Sequence, residues 1–235
     1  MHSFSNRIRR LEYALGAALG ISLILSVLLA APVARQCSSI QDKVVRLHIL
    51  ANSDSDADQA QKLRVRDRIL NETGTLLRET QSRAEAESLI ESLLPEFERI
   101  AEEQLRADGC SDRVHAELTD MYFSARTYDG GTMPAGTYRA LRLTIGKGEG
   151  RNWWCVVFPP MCVSAAVGTD VSGTDVSGTD ASGTDVSGTD VSGAEALDDV
   201  LTAGEMDIVS HPERYEVRLK IVEWWEWLRC RIRGE

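Results

Sequence analysis

Charged and apolar positions separate sharply at the start of the chain, where Arg7, Arg9 and Arg10 precede the uncharged run ALGAALGISLILSVLLAA, Ala14 to Ala31. A helix rising about 1.5 Å per residue covers roughly 27 Å over such a run, close to the hydrocarbon thickness of a bilayer. The arginines stay on the cytoplasmic side, so residues 1–36 are expected to be a signal peptide or a membrane anchor, with everything beyond Ala31 exported. Peptidase preference leaves cleavage open. A cut after Ala34 puts Pro32 at a position that wants a small residue, and a cut after Ala31 puts Pro32 just past the bond. Lipoprotein processing at Cys37 is excluded, because Arg35 and Gln36 precede it instead of small residues.

The pattern then changes period several times. Val45, Leu47 and Ile49 alternate with Arg46 and His48, which predicts a strand over Lys43 to Leu50 with one face largely buried. After ANSDSD, Asp56 with Gln59 forms a capping box for a helix to about Glu72, packed on more than one side by Leu63 with Leu70 and Val65 with Ile69. Ser82 with Glu85 caps a second helix holding Leu89, Ile90, Leu93 and Leu94. Pro95 kinks or restarts it, and Phe97, Ile100, Ala101 and Leu105 carry it to the stop at Gly109. RVHAELTDMYF and GTYRALRLTIG alternate and predict antiparallel strands. GKGEGRN turns into the apolar strand WWCVVFPP. Near the C-terminus, Ser210 with Glu213 caps a helix through Val217, Ile221, Trp225, Leu228 and Ile232.

Between these segments lies GTDVSGTDVSGTDASGTDVSGTDVSG, residues 168–193, five repeats of a pentapeptide. Each unit adds one aspartate and one small apolar side chain, too little to offset the entropy of ordering. A disordered acidic spacer is expected. The organisation is thus a leader over 1–36, an exported α+β domain over 37–167, the spacer, and a C-terminal segment over 194–235 whose Trp-rich helix packs on the domain. The fold class is α+β: one mostly antiparallel sheet of about four strands packed with three to four helices.

Charge narrows the function. The chain has 36 Asp and Glu and 26 Lys and Arg; leaving out Glu12 and the four arginines before Gln36, the exported part carries about −13. Nucleic acid and an anionic membrane surface are both poor partners for it. Five cysteines in an exported chain permit disulfides, and Cys155 with Cys162, across two prolines, is the favoured pair. Asp54, Asp56 and Asp58 imitate the opening of a calcium loop, but Gln59 stands where glycine belongs and Val65 where glutamate belongs, so no metal is expected. GKGEG lacks the Ser or Thr and the helix of a phosphate loop. Hydrolase motifs are missing, and His48, His115 and His211 sit beside apolar or turn residues. No catalytic residue, cofactor or small-molecule substrate is therefore assigned.

The remaining chemistry is aromatic: Trp153 and Trp154 point to opposite faces of one strand, and Trp224, Trp225 and Trp227 crowd one helix. An exposed tryptophan ringed by polar residues anchors partners. Burial of Trp153 and Trp154 beneath elements on both sides is the alternative. Three stretches, RLHILANSDSDADQAQKLRVRDRIL, MPAGTYRALRLTIGKGEGRNWWCVVFPPMC and YEVRLKIVEWWEWL, resemble the stage II sporulation protein R family of endospore-forming bacteria. The resemblance implies a protein exported from the forespore into the space between two membranes, secreted or held by its one N-terminal helix. There it activates a membrane-embedded aspartic protease of the mother cell, which processes the precursor of sigma factor E, and it needs no catalytic residues itself. Asn52, Ser53 and Asp54 are the expected contact residues by position, joined by Trp153 and Trp154. The competing classes are an exported hydrolase with a site assembled in space and a structural envelope or spore protein.

Overall fold

A computed structural model describes residues 2–128, 131–161 and 193–233. Its first helix, α1 (His2–Gln41), carries the apolar run straight through Pro32 and into the domain. The stretch Tyr13–Gln41 is long and apolar enough to cross a membrane. Leu15, Ile21 and Leu28 are exposed, whereas Ala30, Val33, Cys37 and Ile40 are buried. Their spacing of three or four residues puts them on one stripe of the helix. The helix therefore changes role near Ala30, from a bare apolar rod to part of a core.

The domain is built on strands β1 (Val45–Leu50), β2 (Val114–Phe123), β3 (Arg126–Tyr128), β4 (Gly131–Met133), β5 (Gly136–Ile145) and β6 (Asn152–Phe158). The main sheet has the order β2-β5-β1-β6, and β3 with β4 forms a small separate hairpin. Strands β2 and β5 pair antiparallel, as do β1 and β6, while β1 and β5 run parallel. The long helices α2 (Asp56–Arg78) and α3 (Arg83–Ala107) follow β1. Further along the chain come α4 (Gly193–Asp198), α5 (Ala203–Ser210), a 3-10 turn (Pro212–Tyr215) and α6 (Glu216–Arg233).

Two cores result, one on each face of the sheet. On the first, Val45, Leu47 and Ile49 of β1 and Leu141 and Leu143 of β5 meet Val65 and Ile69 of α2 and Ile90, Phe97 and Ile100 of α3. On the second, Phe123, Tyr138, Ala140 and Val156 meet Val33, Cys37 and Ile40 of α1, Ile208 and Val209 of α5, and Val222 of α6. The sheet is thus covered on both sides.

That arrangement corrects several expectations. Strand β1 is buried at all six positions, so Arg46 and His48 face a second core and not water. The cap of α2 is Ser55, whose side chain accepts from the Asp58 amide, one residue earlier than expected. The helix buries a single face (Val65, Ile69, Leu70 and Leu77), leaving Leu63 partly exposed. Pro95 lies inside a helix that continues past it, so it does not restart the chain. Ser210 ends α5 instead of capping the last helix, and α4 and α5 were not foreseen. Cys155 is buried and disulfide-bonded. Its expected partner Cys162, and the GTDVS array as far as residue 192, lie outside the described residues.

The C-terminal segment is pinned by charge as well as by apolar contact. Glu205 of α5 is buried, and its Oε2 accepts from the Lys43 Nζ at 2.6 Å and from the Thr202 amide at 2.7 Å. Burial pushes its pKa up, but hydrogen bonds from Lys43, Ser39 and Thr202 outweigh that and hold it at about 2. A carboxyl depressed in the folded state contributes stability that is fully present above its ordinary value of 4.5 and is lost as pH falls toward about 2. Glu205→Gln is expected to cost about 1–3 kcal/mol at neutral pH. It should also flatten the acid-induced loss between those values, as read by chemical denaturation over a pH series.

Candidate functional site

The end of β1 and the start of α2 meet the turn between β5 and β6 at one corner of the sheet. Main-chain bonds join them first: the Gly150 amide donates to the Ala51 carbonyl at 2.9 Å and the Glu149 amide to the Asn52 carbonyl at 3.2 Å. Side chains then lock the join. Asn52 Oδ1 accepts from the Lys147 amide at 3.0 Å, and Asp54 Oδ1 accepts from the Arg151 amide at 2.6 Å. The Arg151 guanidinium stands 3.7 Å from the same Asp54 carboxylate.

Asp58 organises the corner from within. Its Oδ2 accepts from the Ser53 hydroxyl at 2.5 Å and from the Asn52 amide group at 3.2 Å. The Ser53 bond is the chief reason its pKa is lowered. Gln59 donates to the Ser53 carbonyl at 2.8 Å and accepts from the buried Lys62, which also donates to the Arg151 carbonyl at 2.9 Å. Burial, with the nearby charges of Arg151 and Arg66, lowers the Lys62 pKa to about 8. Of the three aspartates that imitate calcium ligands, Asp54 and Asp58 are held in these hydrogen bonds, and Asp56 and Asp58 lie in the first turn of α2, where carboxylates meet the positive end of the helix dipole.

Glycine is needed where the two segments touch. Gly146, at φ 56°, lies so close to Asn52 that a Cβ would overlap its amide group, and a Cβ on Gly150 would strike the Ser53 carbonyl. The GKGEG sequence is therefore a turn shaped to receive the corner.

Of the expected contact residues, Asn52 and Ser53 are half-buried and committed to this network, while Asp54 is exposed. Around it stand exposed Asp56, Lys147, Glu149 and Arg151, a compact surface of mixed charge. Trp153 and Trp154 begin beside the corner but are half-buried on opposite faces. The Arg66 guanidinium lies 4.8 Å from the Trp153 ring centre and that of Arg126 lies 4.4 Å from Trp154, so a cation covers each ring.

Behind the corner, the second face of the sheet holds a cluster that the alternation of β1 did not reveal. Arg46 is fully buried, bonds the Tyr128 hydroxyl, and lies 4.1 Å from the Phe123 ring centre and 5.0 Å from Tyr138. Phe123 also packs edge-on to His48, Tyr138 and Trp154. Burial lowers the His48 pKa, and its Nε2 meets Asn152 Oδ1 at 2.9 Å. His115 is largely exposed beside Glu98.

Gly150→Ala should cost about 1–3 kcal/mol, the range for forcing extra atoms into a filled site. It should also raise hydrogen exchange at the Gly150 and Arg151 amides without altering that of α3. Exchange spread evenly over the chain would show that the corner is not a separate lock.

Comparison with known proteins bears on the same region. The family described as Stage II sporulation protein R matches residues 41–167. The chain is similar to stage II sporulation protein R of Bacillus subtilis (strain 168), with 42% identity over 123 residues, covering 52% of this chain and 55% of that relative. The chain thus spans about half the length of the curated relative it matches. No solved structure matches it.

Proposed function

The chain belongs to the stage II sporulation protein R family, and from that premise we propose that it is an exported ligand that switches on a membrane-embedded aspartic protease during sporulation. The protease sits in the mother-cell membrane and processes the precursor of sigma factor E. The ligand crosses the forespore membrane by α1 and acts from the space between the two membranes.

One geometrical observation carries this reading. Helix α1 joins the sheet at the start of β1, only a few residues before Val45, and the locked corner sits where β1 ends. Six residues of strand at about 3.3 Å each separate the two by roughly 20 Å. A chain held by α1 therefore presents Asp54, Lys147 and Arg151 from the end of the sheet opposite its anchor. The corner's polar groups are already satisfied among themselves, so it offers a fixed shape and loses little entropy when a partner docks. Asn52 and Ser53 set that shape, and Asp54 with Arg151 supplies the surface the protease reads.

The test is co-expression of the full chain with only the protease and the sigma precursor in a cell that is not sporulating. Cleavage of the precursor is expected to begin. Its absence, with the chain folded and on the outer side of the membrane, would remove the reading. Asp54→Lys removes an exposed ion pair and the bond from the Arg151 amide, and is expected to cost about 1–3 kcal/mol while leaving the chain folded. Cleavage should nonetheless fall about tenfold or more, equivalent to roughly 1.4 kcal/mol of binding. Equal cleavage by this variant would move the contact surface elsewhere.

A further inference from the structure

Helix α6 buries Val222 in the second core, where it joins Val33 and Cys37 of α1. Its large aromatic side chains do not follow: Trp224, Trp225 and Trp227 are 60%, 53% and 45% exposed. At 100° per residue, Lys220, Trp224, Trp227 and Arg231 fall within one stripe on the side away from Val222. The Arg231 guanidinium lies 5.3 Å from the Trp227 ring centre. Such a stripe has an apolar body with polar and cationic tips, the composition that settles at the boundary between lipid headgroups and acyl chains.

Two observations identify what covers it. The first is position: α6 packs along α1, and α1 is the described helix long and apolar enough to cross a bilayer, its burial in the domain beginning at Ala30. The element bearing the tryptophans is thus held against the helix that enters the membrane, close to where that helix leaves it. The second is charge. From Glu216 to Arg233 there are five basic and three acidic residues, and Lys220 and Arg231 lie on the same stripe as Trp224 and Trp227. This basic helix stands in a chain of net charge −10. An anionic lipid surface attracts it while repelling the rest of the domain.

We infer that α6 lies in the headgroup region of the bilayer that α1 spans, with Trp224 and Trp227 inserted at the boundary and Arg231 at lipid phosphates. The inference rests on α1 being retained in the membrane, as in the proposed function. It adds a second, peripheral attachment that fixes how the domain stands on the surface. The charge argument from the whole chain, which disfavours an anionic membrane, holds for the sheet domain and fails for this helix.

The full chain is reconstituted in vesicles of phosphatidylcholine and phosphatidylglycerol whose acyl chains carry bromine either near the headgroup or near the bilayer centre. Tryptophan fluorescence is expected to be quenched by the shallow bromine more than by the deep one and to be protected from aqueous acrylamide. In the triple variant Trp224→Ser, Trp225→Ser, Trp227→Ser, shallow quenching should drop to what Trp153 and Trp154 alone give. The measurement on the unaltered chain stands even where the triple variant misfolds. Tryptophans open to acrylamide and untouched by bromine in a chain that resists alkaline extraction would overturn the inference and leave the anchor intact. Protection from both quenchers would show that protein covers the stripe and would overturn it equally. Release of the chain by alkaline extraction would remove the anchor, and the inference with it.

Discussion

Strand β1 imposes the constraint from which the rest of the structure follows. It is flanked by β5 and β6 and covered on both faces, so every one of its side chains must be housed without water. Three of them, Val45, Leu47 and Ile49, enter an ordinary apolar core against α2 and α3. The other face carries Arg46 and His48, and burying a guanidinium is costly unless its charge is met. Here aromatic faces meet it: Phe123 and Tyr138 lie within 4.1 and 5.0 Å of the Arg46 guanidinium, and the Tyr128 hydroxyl accepts from it. Those residues come from β2, β3 and β5, so the second core draws the small β3–β4 hairpin toward the sheet. The end of α1, α5 and α6 then close this layer, which is why the C-terminal segment packs on the sheet.

The corner follows from the same strand. Because β1 leaves the sheet between two pairing partners, the loop after it must pass the β5–β6 turn at close range. Glycines at 146 and 150 make the approach possible, Asn52 and Asp54 turn the proximity into hydrogen bonds, and Asp58 holds Asn52 and Ser53 in place from within the corner. Asp54, which imitates a calcium ligand in the sequence, thus joins two loops. What remains outward is a surface whose backbone is fixed from behind, a property suited to recognition by shape.

Much of this was legible in the sequence, for identifiable reasons. The strands and the two long helices announce themselves by local period and by caps, and Ser82 does accept from the Glu85 amide as its spacing implies. The shift of the α2 cap from Asp56 to Ser55 is a one-residue ambiguity between neighbouring side chains that can both cap. The burial of Arg46 and His48 was hidden, because it depends on Tyr128, Phe123 and Asn152, which lie 70 or more residues away in sequence. The Asp54–Arg151 contact spans 97 positions and leaves no local trace. Likewise Trp153 and Trp154 suggest exposed anchors until Arg66 and Arg126 are seen to lie over them. Helix α5 escaped notice because eight residues show little period, although Thr202 and Glu205 form a capping box that could have marked its start.

The division of charge along the chain bears on how such a domain would stand on a membrane. Residues 36–235 carry about −13 in total, yet the last helix is locally basic. Near an anionic bilayer these two parts feel opposite forces within a Debye length of roughly 8 Å. A single spanning helix leaves the attached domain free to rotate and lean, whereas attraction at α6 and repulsion over the sheet act together as a torque. Helix α6 adjoins α1 and the second core, and the corner lies at the far end of β1 from the α1 junction. In the membrane-bound arrangement inferred above, that torque would lift the corner away from the bilayer that α1 spans. Orientation of this kind raises the fraction of encounters that are productive without adding any contact to an interface.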